Sequence, residues 1–359
     1  NAAANILNGQ IEKGIVITKY GHIQGGIPGI ECFEAGHPVP DTNTFAATQK
    51  VIELTEELQA DDQVLFLLSG GGSALFEKPL ISTEELSDIT KQLLACGADI
   101  VEMNTIRKRL SAVKGGKFAG LCEPAAIFAI VLSDIVGDPL DMIASGPAYA
   151  DSSTASDAIA IAEKYHLKLS EKARTLLEMK TAKAVTNVET RITGSVRNLC
   201  LAAKEACEKL GYESMILTDA LQCEAKEAGA FLAAIAKTHQ NTDKSLAFIA
   251  GGETIVHVTG KGLGGRNQEL ALAAAEGLAA CRNTAIFSVG SDGTDDAAGG
   301  YCDENTKEKM QQAGLDVYEV LKENDAYHAL KKTGGLIITG ATGTNVNDVA
   351  VVLIRRRFL

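Results

Sequence analysis

The residues best suited to chemistry sit in glycine-rich turns that follow apolar runs. One run stops at Ser69, and Gly70, Gly71, Gly72 and Ser73 follow it. Three successive glycines bare consecutive backbone amides and permit positive φ, the ingredients of an anion-holding nest. The plainer alternative is a turn whose glycines only let a helix pack closely. "VLSDIVGDPLDMIASGP" sets Ser133, Asp134 and Asp138 around Gly137; "AGGET" carries Glu253 and Thr254; "SVGSDGTDDAAGG" carries Asp292, Asp295 and Asp296. Taken singly, such residues cap turns or helices. Their recurrence at strand ends suits Mg2+, which takes one or two protein carboxylates with water and phosphate oxygens. It also suits a general base for a hydroxyl proton. Asp292 and Asp295 are the expected metal ligands.

Positive charge gathers in "NTIRKRLSAVKGGKFAG", which holds Asn104, Arg107, Lys108, Ser111, Lys114 and Lys117. At helical spacing Arg107, Ser111 and Lys114 would share one face. Arg266 opens a second polar group with Asn267, Gln268 and Glu269. Together these cations are the expected holders of an anionic substrate or a transferring phosphoryl group.

Familiar motifs fail on nameable residues. A nucleophile elbow needs G-x-S-x-G, but Leu75 stands where the last glycine around Ser73 should be, and Leu67 stands where the first should precede Ser69. A P-loop needs Gly-Lys-Ser/Thr after its spacer, and the glycines of 70–72 are followed by Ser73. G-x-G-x-x-G does occur at Gly260, Gly262 and Gly265. It follows an expected strand and opens an expected helix, so a dinucleotide reading stays in view as the minority one.

These loops need a frame that aims them at a common ligand. Apolar runs at 14–18, 64–68, 126–132, 214–218, 246–250, 254–258, 285–289, 335–339 and 349–354 predict strands. Most are continuous rather than alternating, the pattern of strands buried on both faces, as in parallel sheets covered by helices. Helices are expected over 43–59, 82–97, 154–164, 170–179, 197–210, 223–238, 266–280 and 325–333, with Ser82 and Glu85 at capping-box spacing. Strand–helix alternation gives an α/β class, and five polar strand ends suggest one shared cleft. A chain of 359 residues exceeds one core; the polar stretch 178–190 places a boundary near 188, between domains 1–188 and 189–359.

A net charge of -12 argues against nucleic acid or an anionic membrane as partner while leaving room for a small anion. No run reaches the length of a membrane span and no signal peptide opens the chain. The eight scattered cysteines, without a C-x-x-C pair, predict free thiols in a reducing cytoplasm.

Seven blocks carry a resemblance: "HPVPD", "LLSGGGSAL", "NTIRKRLSAVKGGKFA", "LSDIVGDPLDMIASGPA", "GGETIVHVTGKGLGGRNQELALAAA", "SDGTDDAAGG" and "GATGTNVNDV". Over nearly the whole chain and in the same order, they resemble the class II glycerate kinases with a MOFRL-type C-terminal domain. The resemblance implies ATP-dependent phosphorylation of D-glycerate to 2-phosphoglycerate with Mg2+ or a similar divalent ion. It implies two different α/β domains, the first Rossmann-like with a largely parallel sheet, and an active site between them. A homodimer is compatible with it. Arg266 corresponds to the family's catalytic arginine, with Asp134 and Glu269 as the carboxylates of the reaction and Asn267 beside them. Ser69–Ser73, Asn104, Arg107 and Lys114 would bind substrate or phosphate. Asp138, Glu253, Thr254, Asp292 and Asp295 would lie near nucleotide or metal. The chain departs from the family twice. The N-terminal Gly-Lys element, with its lysine thought to be catalytic, would fall just before "NAAANILNGQIEKGIVITKYGH", where the sequence begins, so either it precedes these residues or the function is impaired, and neither Lys13 nor Lys19 fits its motif; "SDGTDDAAGG" is a few residues shorter between its aspartates than the resemblance implies. Two other readings stay open: an NAD(P)H-dependent hydroxypyruvate reductase, a name once given to some members, and a non-catalytic sugar-acid-binding protein.

Overall fold

The computed structural model describes residues 1–180, 184–293 and 297–356. The chain divides into two compact units, one of Asn1–Val131 with Pro139–Thr193, the other of Leu132–Asp138 with Gly194–Leu359. The segment carrying Asp134 and Asp138 therefore groups with the second half of the chain. The strands are β1 (Gly14–Lys19), β2 (Ile30–Ala35), β3 (Gln63–Leu68), β4 (Ala126–Leu132), β5 (Val188–Gly194), β6 (Glu213–Leu221), β7 (Leu246–Gly252), β8 (Thr284–Gly290), β9 (Gly299–Asp303), β10 (Leu336–Ile337) and β11 (Asp348–Ile354).

In the first unit β1 pairs with β2 and β3 with β4, both in parallel, and β5 flanks β4. The apolar runs of β3 and β4 do not mean burial on both faces. Their burial alternates, and Leu65, Leu67 and Phe128 stay exposed. The other face packs on Phe118, whose ring lies 4.9 Å from Phe66 and 5.2 Å from Phe76. Helices Thr83–Ala95, Ile100–Leu110, Ala155–Lys164 and Glu171–Glu178 form a second core around Ile89, Leu93, Ile106 and Leu110. Truncating one such leucine to alanine costs about 2–5 kcal/mol. Ser82 caps its helix by accepting from Glu85 N, but the Glu85 carboxylate accepts from Ser170 N instead of closing the box.

The second unit is a six-stranded sheet in the order β10-β9-β8-β11-β7-β6. Only β6–β7 is parallel; β11 runs antiparallel to both β7 and β8, and β9 antiparallel to β8 and β10. This corrects the expectation of parallel pairing drawn from continuous apolar runs. β7 and β11 are buried nearly throughout, because helices cover both faces, and burial says nothing of direction. Residues 254–258 form no strand: Ile255 makes only an isolated bridge to Glu224. The helix expected at 266–280 is two, Arg266–Ala273 and Ala275–Leu278.

Candidate active site

Register builds the site of the second unit. β11 is antiparallel to its neighbours, so its first residue, Asp348, lies opposite Gly252 at the end of β7 and Gly290 at the end of β8. Glu253 directly follows β7, and Asp292 follows β8. No side chain fits at Gly252, where a Cβ would lie 2.2 Å from Leu221 O on the neighbouring strand. Helix Arg266–Ala273 delivers Arg266 to this point. Its Nε donates to Asp348 Oδ2 at 2.5 Å, Nη2 to Asp348 Oδ1 at 3.3 Å, and Nη1 to Glu253 Oε1 at 3.0 Å. Two carboxylates thus hold the guanidinium fork in one orientation. Asn267, next on the helix, accepts at Oδ1 from Ser288 Oγ at 2.6 Å. Its Nδ2 converges with Asp348 Oδ1 and Asp292 Oδ1 over bare Gly290, where a Cβ would lie 3.2–3.3 Å from all three.

A groove of about 690 Å3 opens beside Arg266, lined by Glu253, Ile255, Val258, Gly265, Glu269 and Asn324 among others. Glu269, one turn beyond Arg266, is 4% exposed. Burial pushes its carboxyl pKa up, and the Asn324 hydrogen bond and the Lys226 charge oppose the shift. Gly260 and Gly262 belong to the groove's supporting loop. A Cβ on either would lie 2.3–2.6 Å from atoms of Glu323 and Asp325. These glycines serve close packing of loop against chain, and no strand precedes them; the dinucleotide fingerprint lacks its context.

In the first unit the glycine turn leads into a single helical turn, Gly72–Leu75. Gly71 has φ 85°, and a Cβ on Gly72 would meet Ala144 Cβ at 2.6 Å. The amides of Gly70, Gly71, Gly72 and Ser73 donate to no backbone or side-chain group among the described residues. Ser73 Oγ lies 3.2 Å from Ser145 Oγ, which donates to Asn104 Oδ1 at 3.0 Å. Ala144 and Ser145 hold positive φ of 51° and 61°, a strained backbone that non-glycine residues adopt rarely.

The basic segment is arranged otherwise than its spacing suggests. The helix ends at Leu110, and Ser111 is extended, so Lys114 lies off the helical face that holds Arg107. Lys114 is fully buried. Its ammonium donates to the carbonyls of Ser73, Phe76 and Ala144 and lies 3.7 Å from Glu77. Burial drives its pKa down to about 8, with Glu77 opposing. Lys117 donates to the carbonyls of Lys108, Arg109 and Ser111, and Lys108 pairs with Asp141 and Asp151. These lysines brace the loop instead of facing solvent. Arg107 alone in this segment is half-buried without a hydrogen-bond or ion-pair partner among the described residues.

Residues 1–178 match the family model described as a domain of unknown function, DUF4147, and residues 246–348 match the MOFRL family. A D-glycerate 2-kinase of Thermotoga maritima is 51% identical over 98% of this chain and 87% of its own length. The chain belongs to the glycerate 2-kinase family. A glycerate 2-kinase of Pyrococcus horikoshii is 39% identical over 96% of this chain and 82% of its own. The crystal structure of the Thermotoga maritima glycerate kinase superposes with a TM-score of 0.95 over 99% of this chain and 88% of that one.

In this member of the family the expected site residues fall into distinct places. The structure brings Arg266, Asn267, Glu253 and Asp292 together, with Glu269 and Thr254 on the adjoining groove. Ser69–Ser73, Asn104, Arg107 and Lys114 belong to the first unit. Asp134 is half-buried just beyond β4; Asp138 has φ 52° and a buried Oδ1 without a partner among the described residues. Asp295 lies outside the described residues. Asp348 and Asn324 escaped the sequence reading. Asp348 heads a strand instead of following one, and its only signal is a carboxylate before the wholly apolar run VAVVLI. A second concavity, of about 720 Å3, is lined by Ser82, Glu85, Lys168 and Ser170, but its serines and Glu85 are already spent on helix caps and backbone amides.

Proposed function

We propose that the chain transfers the γ-phosphoryl group of ATP to the 2-hydroxyl of D-glycerate, giving 2-phosphoglycerate and ADP. The observation that carries this is the Arg266 fork, held by Asp348 and Glu253 beside Asn267 and Asp292, in a chain 51% identical to a D-glycerate 2-kinase. Phosphoryl transfer is mostly positioning and charge stabilisation, and a guanidinium already oriented needs no reorganisation as charge spreads over the phosphoryl oxygens. Glu269, with its raised pKa, and Asp134 are the carboxyls we assign to the proton of the acceptor hydroxyl. The free amides of Gly70–Ser73 and the unspent charge of Arg107 are suited to an anionic group such as the glycerate carboxylate.

Among the described residues no three His, Cys, Asp or Glu side chains could hold a metal by themselves. Mg2+ does not need three; Asp292, beside Asp348 and Asn267, is the donor set that fits it. When bound, Mg2+ would shield phosphate oxygens from these carboxylates. The packed Gly260 and Gly262 leave the reductase reading without its pyrophosphate cradle. No helix among the described residues is long and apolar enough to cross a membrane, and all eight cysteines are free, which supports a cytoplasmic setting.

The test is incubation with D-glycerate, ATP and Mg2+. Stoichiometric 2-phosphoglycerate and ADP are expected. Hydroxypyruvate-dependent NADH oxidation without ADP would replace this reading with the reductase one, and D-glycerate binding without turnover would replace it with a sensor.

A further inference from the structure

The groove beside Arg266 has a composition that glycerate cannot use. Its volume of about 690 Å3 falls within the roughly 300–1,000 Å3 of small-molecule sites. Its wall presents Ile255 and Val258, which are 53% and 79% exposed. Gly264 and Gly265 line it as well, and among the described residues a Cβ on Gly265 would have only Gln268 Nε2 near it, at 4.0 Å. A small, fully polar hydroxy acid has no surface to bury on two branched aliphatic side chains and a bare backbone. A flat ring does.

The polar edges complete the pattern. The exposed Gln222 lines the groove and can meet the polar rim of a ring. The groove reaches the first residue of the helix Arg266–Ala273, whose guanidinium puts a positive charge at that end. An apolar slot that runs to a cation suits a ligand with an apolar ring at one end and phosphates at the other. One side chain holds the slot in shape. Asn324, at φ 53°, accepts at Oδ1 from Thr259 N at 2.7 Å and Gly260 N at 2.9 Å; its Nδ2 donates to His257 O at 3.2 Å and Glu269 Oε2 at 3.3 Å.

We propose that this groove is the nucleoside subsite of the phosphoryl donor, with the base against Ile255, Val258 and the Gly264–Gly265 backbone and the phosphates toward Arg266. The assignment rests on the phosphotransferase reading and adds where the donor sits.

The test is calorimetric titration of the full chain with ADP and Mg2+, and separately with inorganic tripolyphosphate, which carries phosphates but no nucleoside. The variants are Ile255→Asp and Val258→Asp, whose exposure makes misfolding avoidable, with Leu210→Asp as a distant exposed control. A carboxylate facing an apolar ring must lose hydration or exclude the ring. The Kd for ADP is expected to rise about tenfold or more in both groove variants, with the control unchanged and unfolding midpoints like the wild type. Tripolyphosphate affinity should stay the same. Unchanged ADP affinity in both groove variants, or a wild type that binds no ADP, would overturn the assignment. So would equal losses of ADP and tripolyphosphate. Turnover separates the two readings. ADP binding that follows this pattern without 2-phosphoglycerate formation sinks the kinase reading alone. Full turnover with an unchanged KM for ATP in Val258→Asp sinks the groove alone.

Discussion

Asp348→Asn is the sharpest probe of how the arginine is held. The substitution keeps the shape of the side chain and removes its charge. Asp348 meets the Arg266 fork at two points, 2.5 and 3.3 Å, and its side chain is 9% exposed, whereas Glu253 meets the fork once and is 42% exposed. A hydrogen bond to a charged group contributes about 1.5–3 kcal/mol, while a solvated surface pair contributes about 0–1 kcal/mol. Arg266 is itself 36% exposed, so solvent screening reduces the Asp348 contribution to about 1–2 kcal/mol. If that orientation matters chiefly in the transition state, Asp348→Asn lowers kcat about 5- to 30-fold, whereas Glu253→Gln lowers it by no more than about 5-fold. The two losses should not add, since both carboxylates hold one guanidinium. A coupled assay for ADP release, at saturating D-glycerate and varied ATP, separates kcat from KM. A kcat for Asp348→Asn within twofold of wild type, or a larger loss in Glu253→Gln, would refute this account of Arg266.

Three further outcomes are expected. Arg266→Ala should cut turnover about a thousandfold or more while the chain stays folded, because the side chain is partly solvated; near-normal turnover would remove it from the reaction. Lys114→Met strands Glu77 and three carbonyls in the interior and should cost about 3–5 kcal/mol in urea unfolding. The folded-state pKa of Lys114, about 8, lies below its unfolded value of ~10.4. The unfolded chain therefore binds the extra proton between those values, and wild-type stability rises with pH there. The wild type's margin over Lys114→Met should widen from pH 7 to pH 10, and a constant or shrinking margin would contradict the burial. Gly72→Ala would drive a methyl to 2.6 Å from Ala144 Cβ; overpacking of about 1–3 kcal/mol should lower Tm and, by displacing Ser73, raise KM for D-glycerate. An unchanged Tm would show that the turn yields freely.

What could be read without coordinates was local. Helix starts were legible where a capping residue precedes an amphipathic stretch, as at Ser82, Thr154 and Ser170, each of which accepts from a first-turn amide. Strands were legible as apolar runs, and β4 lies at its expected bounds. The glycine turn at 70–72 was legible as a bare backbone after a strand. The lysines misled because a long cationic side chain reads the same whether it reaches solvent or turns inward to carbonyls. The choice depends on which oxygens surround it, and for Lys114 these come from Ser73, Phe76 and Ala144.

The sequence by itself determined most of the element types, the polar strand ends and the candidacy of Arg266, since these follow from short-range pattern and residue chemistry. Tertiary structure alone decided strand direction. With β11 antiparallel to β7 and β8, a strand's first residue meets two strands' last, and Asp348 reaches Arg266 across 82 positions of chain. It also decided which cations are spent and which groove Asn324 holds open. Those outcomes depend on contacts between distant segments, whose register is set by the packing of whole elements and leaves no periodic trace along the chain.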